Sequence, residues 1–446
     1  MKFQTILLSV FGVMAVVGLI VFSAMPAKKS SPIGAAATEF SGASGNVQIW
    51  GTFQKNQKLE ALIQSFNKKY ADYFSISYTY HDPKNFDNDI VEALASKRGP
   101  DVLLLPDDLI LRHSDKIKMI PYVSFPQASF YSTFIQAAEI YMRDDGLVAL
   151  PFAVDPMVMY WNRDIFNNAS ITQPPKLWDE FLVQVPKLTK RDVRTYDISQ
   201  SALSFGEYVN VTHAKDIIAM LFLQVGNPIV KIDGGRPISA ISKFSDNGSY
   251  VPEQNIISAL RYFMDFSNPL KTIYTWNRAR QMSREEFITG NLAVYFDYAS
   301  SYDLIKAQNP HLNFGVARVP QPRDTSAEVT FAKVHGLAVL NEAPNQATAL
   351  IAVKRLLLDV EPSRDFADAF NLPPVRRDLL KVTPTDAAMT VFYDGAIRAR
   401  TWLDPKPEES DKSFRVMVES ISSGLSDPTK AVSRLSTDIS ELLSHY

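Results

Sequence analysis

The apolar residues of this chain fall into periodic blocks that begin near Val47. Val47–Trp50 is a short apolar run stopped by Gly51, the mark of a strand. Leu59, Leu62, Ile63 and Phe66 then recur at i, i+3, i+4 and i+7, one face of an amphipathic helix. Phe74, Ile76, Tyr78 and Tyr80 alternate with Ser75, Ser77 and Thr79, which predicts a half-buried strand. Ile90, Val91 and Leu94 predict a second helix, closed by Gly99-Pro100. Val102–Leu105 is continuously apolar, as in a strand buried on both faces. Strand, helix, strand, helix, strand predicts an α/β layer on a largely parallel sheet.

Past residue 150 the rhythm changes. Leu150-Pro151-Phe152 reads as extended and Val158–Tyr160 as a strand. Helical periods then cover 177–188, 213–225, 254–266, 283–290 and 299–308. Strand character returns at Leu292–Phe296, Asn313–Ala317 and Gly336–Leu340. The last hundred or so residues are mainly helical. Asp427-Pro428 supplies an N-cap and a first-turn proline for the final helix, with Ala431, Leu435, Ile439 and Leu442 as its apolar face.

Ahead of this folded part, Ile6–Met25 is an uncharged apolar run long enough to cross a bilayer core of about 30 Å. It is either a signal peptide or an uncleaved anchor. The run is long for a signal core, and the small-residue pattern Ala35-Ala36-Ala37 stands far from it, which favours the anchor. Residues 27–46, rich in Ala, Ser and Gly, read as a flexible tether.

Composition narrows the chemistry. With 46 Lys+Arg against 48 Asp+Glu, no strong basic field exists to hold nucleic acid. Cysteine is absent, which removes disulfides, zinc-thiolate and iron–sulfur sites, thiol nucleophiles and a lipid-modified N-terminal cysteine. His81, His113, His213, His311, His335 and His445 are mutually isolated, so no helical metal-binding pair forms from them. There is no phosphate-binding loop, no dinucleotide turn and no nucleophile elbow. Ser65-Phe66-Asn67-Lys68 and Ser245-Asp246-Asn247 match two elements of penicillin-interacting enzymes, but Lys271-Thr272-Ile273 departs from the third. The adjacent acids Asp107-Asp108, Asp144-Asp145 and Glu285-Glu286 read as solvated turns, because neighbours on one element point in different directions. No catalytic residue, metal or cofactor is expected. The aromatic residues say more: Trp50, Trp276 and Trp402 stand at a strand end and in irregular stretches, positions from which rings stack on sugars. Trp161 and Trp178 read as structural.

Several segments, in order, resemble the extracellular solute-binding proteins of ABC importers, the maltose-binding-like group. They are Val47–Phe53 with Phe66-Asn67-Lys68-Lys69-Tyr70, then Ala93–Ser96 running into Gly99-Pro100-Asp101-Val102. Leu150-Pro151-Phe152 to Tyr160–Asp164, and Pro174-Pro175 to Trp178–Phe181, come next. Phe287–Val294, Phe314–Val316 to Val319-Pro320, His335–Val339 and Ile421–Gly424 complete the series. The resemblance spans about 47–446 and departs from the group in lacking the lipid-anchoring Cys and in placing His335 before Gly336.

The resemblance implies a two-lobed α/β fold of the periplasmic-binding-protein type, class II, each lobe a sheet flanked by helices with a ligand cleft between. Lobe one would be 47–152 plus 318–360, and lobe two 153–317 plus 361–446. It implies capture of a sugar-like solute by hinge closure, as a monomer at the extracytoplasmic membrane face, and delivery to the permease subunits of an importer. Matching positions would place Trp50, Thr52, Phe53, Asp107, Asp155, Trp276, Asp297, Tyr298, His335 and Trp402 around the ligand. Trp50, Trp276, Tyr298 and Trp402 would stack on the sugar, and Asp107, Asp155 and Asp297 would accept its hydroxyl protons. Thr52 and His335 would donate or accept. Two other functions fit the same residues less fully: a tethered sensor or adhesion module, and a glycoside hydrolase built on scattered carboxylates.

Overall fold

A computed structural model describes Phe40 and residues 42–446, apart from 196, 245–249 and 326. The chain divides into two units, Met1–Ser44 and Gly45–Tyr446, and the strands and helices of the described residues belong to the second. The expected anchor Ile6–Met25 lies outside the described residues, as does the tether through residue 39. No helix among the described residues is long and apolar enough to cross a membrane.

The opening pattern folds as its periods dictate. Strand β1 (Asn46–Gly51), helix α1 (Gln57–Lys69), β2 (Ser75–Tyr80), α2 (Phe86–Ala95) and β3 (Val102–Pro106) succeed one another along the chain. Asn56 caps α1 by accepting the Leu59 amide at 3.0 Å, and Leu59, Leu62 and Phe66 form its buried face. In α2 the buried residues are Phe86, Ile90 and Ala93, whereas Val91, expected on that face, is 49% exposed. Val91 sits one residue past Ile90, about 100° around the helix.

The next long strand, β4, runs unbroken from Leu150 to Asn162 and is buried along nearly its whole length. The two separate extended pieces expected from the sequence are therefore one strand. Pro151, Asp155 and Pro156 interrupt the apolar pattern but not the strand, because β4 changes partners at that point. Its first part pairs with β8 (Thr330–Val339) and its last part with β6 (Leu292–Tyr298) and β7 (Phe314–Ala317). At roughly 3.3 Å per residue, such a strand extends some 40 Å and serves two halves of the fold.

Between β4 and β8 lie α3 (Trp178–Leu188), β5 (Ile198–Leu203), α4 (Ala214–Gln224), α5 (Gln254–Asp265), α6 (Ser283–Ile288) and α7 (Ser301–Gln308). After β8 come α8 (Gln346–Leu357), α9 (Val360–Ala369), α10 (Ala387–Arg398), α11 (Pro407–Ser422) and α12 (Pro428–Leu443). The main sheet runs β2-β1-β3-β8-β4-β6-β5 and ends on the two-residue strand Lys190–Arg191 beside β5. Within that order β1–β2, β1–β3 and β5–β6 are parallel, and every pairing that β8 and β4 make with these strands and with each other is antiparallel. The largely parallel sheet expected from the opening pattern therefore holds at the flanks and not at the centre. The two long strands return across the molecule, so they meet their neighbours head to tail.

Gly336 makes that centre possible. A Cβ there would lie 2.9 Å from the Tyr141 ring and 3.2 Å from the Leu150 carbonyl. The β8–β4 register shifts between His335 and Gly336. In the final helix, Asp427 caps by accepting the Lys430 amide at 3.0 Å. Ala431, Leu435 and Ile439 are buried, and Leu443 takes the inner place expected for Leu442, which is half-buried.

Candidate functional site

A cavity of about 400 Å³ opens where four parts of the fold converge. The turn after β3 gives Asp107 and Asp108, and β8 gives Phe331 and Lys333. The first turn of α4 gives Lys215 and Asp216, the segment leading into α11 gives Thr401, Trp402 and Asp404, and the start of α11 gives Pro407, Glu408 and Asp411. Local rules explain the placement. An apolar strand that ends at Pro106 must release its chain, so the next carboxyls fall at the strand's C-terminal end. Helix α4 is apolar almost throughout, so Lys215 and Asp216 sit at its start, where an acid also suits the helix dipole.

Charge is paired tightly around this cavity. Lys215 Nζ donates to Asp404 Oδ2 at 2.7 Å, to the Pro407 carbonyl at 3.1 Å and to Ser410 Oγ at 3.1 Å. Burial pushes the Asp404 carboxyl above its usual range, against the pull of Lys215. Lys333 Nζ lies 3.4 Å from Asp108 Oδ2 and 5.6 Å from the centre of the Tyr298 ring. The Asp108 charge holds the Lys333 ammonium above its ordinary value. Asp107, only 3% exposed, accepts the Val334 amide at 3.2 Å and the Thr401 hydroxyl. Burial, with Asp108 beside it, pushes the Asp107 carboxyl up to about 8.

Next to the cavity stands a buried network. Tyr298 Oη donates to Asp216 Oδ2 at 2.7 Å. His213, in the left-handed region at φ 58°, places Nδ1 3.7 Å from Asp216 and Nε2 3.0 Å from Asp297. Asp297 is wholly enclosed and takes Arg284 at 2.8 Å and the Tyr295 hydroxyl. Burial would raise the Asp297 carboxyl, but His213, Arg284 and Tyr295 together hold it well below the usual range. This network fixes Asp216 on the cavity wall.

The ten positions expected around a ligand are dispersed. Asp107 and Trp402 line the cavity. Tyr298 and Asp297 lie behind the wall in the buried network. Asp155 faces Lys333 across the β4–β8 ladder and accepts the Ser300 amide at 3.0 Å, with burial raising its carboxyl to about 6. Trp50 lies against His81, ring centres 4.0 Å apart, and packs on Phe86, Ile90, Leu103 and Leu340. Phe53 stacks on Phe370 at 4.5 Å and meets His335 edge-on at 4.9 Å, and Thr52 beside it is half-buried. His335 is buried between Phe53 and Phe152, and that burial lowers its imidazole to about 3. Trp276 is fully enclosed, with its indole N–H on Asn210 Oδ1 at 3.1 Å, so its ring has no open face to offer a guest.

Lys215, Asp216, Lys333, Thr401 and Asp404 escaped the sequence reading. A signal existed for two of them: Lys333 is the one ionised side chain within the otherwise apolar run of β8 beside His335, and Asp216 is the one acid in α4. Among the described residues, no group of His, Cys, Asp and Glu is arranged to hold a metal ion.

Known proteins agree with this architecture. The sequence profile described as bacterial extracellular solute-binding protein matches residues 61–390. Curated binding proteins of Brucella abortus and Brucella suis are 23% identical over 220 residues, and the chain spans about half their length. The cyclic α-maltosyl-1,6-maltose binding protein of Arthrobacter globiformis is similar in structure, with a TM-score of 0.73 and 14% identity over 90% of this chain and 99% of that one. The sugar-binding protein MalE of Xanthomonas citri gives 0.70 at 18% identity over 90% and 98%. A solute-binding protein of Thermotoga lettingae bound to α-D-tagatose gives 0.65 at 17% over 90% and 100%. These likenesses show a shared two-lobed fold, and the profile match across most of the chain shows the lineage: the protein belongs to the bacterial extracellular solute-binding protein family.

Proposed function

We propose that this protein captures a hydroxyl-rich, carbohydrate-like solute in the cavity between Asp107, Asp216, Lys333 and Trp402, without turning it over, and presents it to the permease of an ABC importer. Ile6–Met25 would hold it at the extracytoplasmic membrane face. The lobes would be 47–152 plus 318–360 and 153–317 plus 361–446, hinged where β4 and β8 pass from one to the other.

The observation that carries this reading is the composition of the cavity wall. Asp107, Asp108 and Lys333 come from the proposed first lobe and its crossing strand, and Lys215, Asp216 and the 401–411 segment from the second. A guest touching both sides stabilises the closed arrangement by its extra contacts there, which biases a two-state hinge. Buried carboxylates accept hydroxyl protons, and the Trp402 and Phe331 rings offer apolar faces. Proteins of this fold whose descriptions name maltosyl-maltose and tagatose add support.

Titration calorimetry across maltose-, cello- and manno-oligosaccharides and polyols, with small-angle scattering for contraction, tests it. The expected result is one-to-one binding, weakened at least about tenfold by Asp216→Asn or Trp402→Ala. Absence of heat across the panel, or binding indifferent to both changes, overturns it.

A further inference from the structure

Donors and acceptors in the cavity are unequal. Its wall carries the carboxyls of Asp107, Asp108, Asp216, Asp404, Glu408 and Asp411 against the two lysines. All three hydrogens of Lys215 are engaged, on Asp404, Pro407 and Ser410. The Thr401 hydroxyl spends its proton on Asp107. Among the described wall residues only Lys333, with its one ion pair to Asp108, keeps ammonium hydrogens for a guest. The wall therefore asks for donors and offers few.

The cations are also committed unevenly. Lys215 answers Asp404, and Lys333 answers Asp108. Asp107 is more than nine-tenths buried and lines the cavity, yet no ion pair among the described residues involves it. Its partners are a backbone amide and a hydroxyl. The nearby cation, Lys333, is ion-paired with Asp108 and offsets the burial of Asp107 only in part, so that carboxyl is costly to ionise and a second cation arriving in the cavity lowers the cost. Hydroxyls can donate to such a wall, but an ammonium carries three donors, no acceptor and a matching charge.

Resting on the carbohydrate reading, we propose that the guest is an amine-bearing saccharide of the glucosamine type, its ammonium seated on Asp107 and Asp216 and its ring set against Trp402 and Phe331. The ring faces favour a saccharide over a linear polyamine, which has no flat surface to place there. Burial agrees with the assignment, since it makes Asp107 hold its proton unusually tightly, and a bound ammonium would release that proton. The charged and titratable groups around Asp107 are Asp108, Lys333, Tyr141 and Tyr298, with the Thr401 hydroxyl beside them, and none but Lys333 is cationic.

The test is calorimetry on the full chain at pH 7 with matched tetrasaccharides: β-1,4-glucosamine tetramer, its fully N-acetylated form, and cellotetraose, with spermidine beside them. The glucosamine tetramer is expected to bind one-to-one and at least about tenfold tighter than either neutral sugar. Asp107→Asn and Asp216→Asn, each checked for an unchanged fold by circular dichroism, are expected to erase that preference while keeping residual neutral-sugar binding. A preference that survives both changes overturns the proposal, as does tighter binding of spermidine or no binding of the amine probe. Tight binding of a neutral tetramer alone overturns the amine assignment and leaves the carbohydrate reading standing; silence from all three sugars overturns the amine assignment, and removes the carbohydrate reading as well when the wider oligosaccharide and polyol panel is also silent.

Discussion

Replacing Lys215 with methionine tests the pairing logic of the cavity most directly. The ammonium lies 2.7 Å from Asp404, whose carboxyl is 3% exposed, and makes two further hydrogen bonds. Methionine fills the aliphatic path but leaves Asp404 buried with the Ser410 hydroxyl and the Lys406 amide as donors and no cation in contact. Breaking a buried pair in this way costs about 3–5 kcal/mol. For a unit of roughly 400 residues unfolding with about 2.1 cal/mol/K per residue, the melting temperature falls by about 4–6 °C.

The pH dependence adds a second reading. Burial already raises the folded pKa of Asp404, and losing the lysine raises it further. A carboxyl whose folded pKa exceeds its unfolded value, near 3.9, binds more proton when folded, so its contribution to stability falls as pH climbs between the two. The deficit of Lys215→Met should therefore be full at pH 8 and shrink towards pH 4. Differential scanning calorimetry of the wild type, Lys215→Met and the double change with Asp404→Asn measures all of this. The double variant should recover at least about half of the loss, because the uncompensated charge is then gone. A deficit under about 1 kcal/mol at pH 8, one independent of pH, or a double variant no better than the single, would refute the reasoning.

Other expectations rest on the same physics. Asp107→Asn removes a carboxyl whose folded pKa of about 8 lies far above the unfolded value, so the variant should gain stability on the wild type as pH rises from about 4 to 8. Urea melts across that range check it. Arg284→Met exposes the opposite sign. Asp297 is held below the usual carboxylate range, so its contribution is present above about pH 4 and lost in acid. The variant should lose about 3–5 kcal/mol at pH 7 by chemical denaturation and converge on the wild type as acid protonates Asp297. Trp276→Ala should cost about 3–5 kcal/mol in the same assay, since the ring is fully enclosed and Asn210 Oδ1 loses its donor.

Much of the fold was written in the linear pattern. A helix such as Gln57–Lys69 or Pro428–Leu443 declares itself because its burial face and its caps are local properties, set within a few residues of each other. The order of landmark segments likewise sufficed for the family, and two of the ten expected ligand positions, Asp107 and Trp402, reached the cavity wall. What the pattern could not carry was partnership. Leu150–Asn162 looked like two pieces because proline and aspartate break an apolar rhythm, and only the change of neighbours from β8 to β6 and β7 shows one strand. Whether a buried indole borders a cavity or is sealed within the core depends on residues far away in the chain, as Trp402 and Trp276 show. The cavity itself joins residues 107, 216, 333 and 404, and periodicity has no term for contacts of that separation. Local chemistry thus determined the elements and their order, and tertiary contact decided which side chains face the cavity.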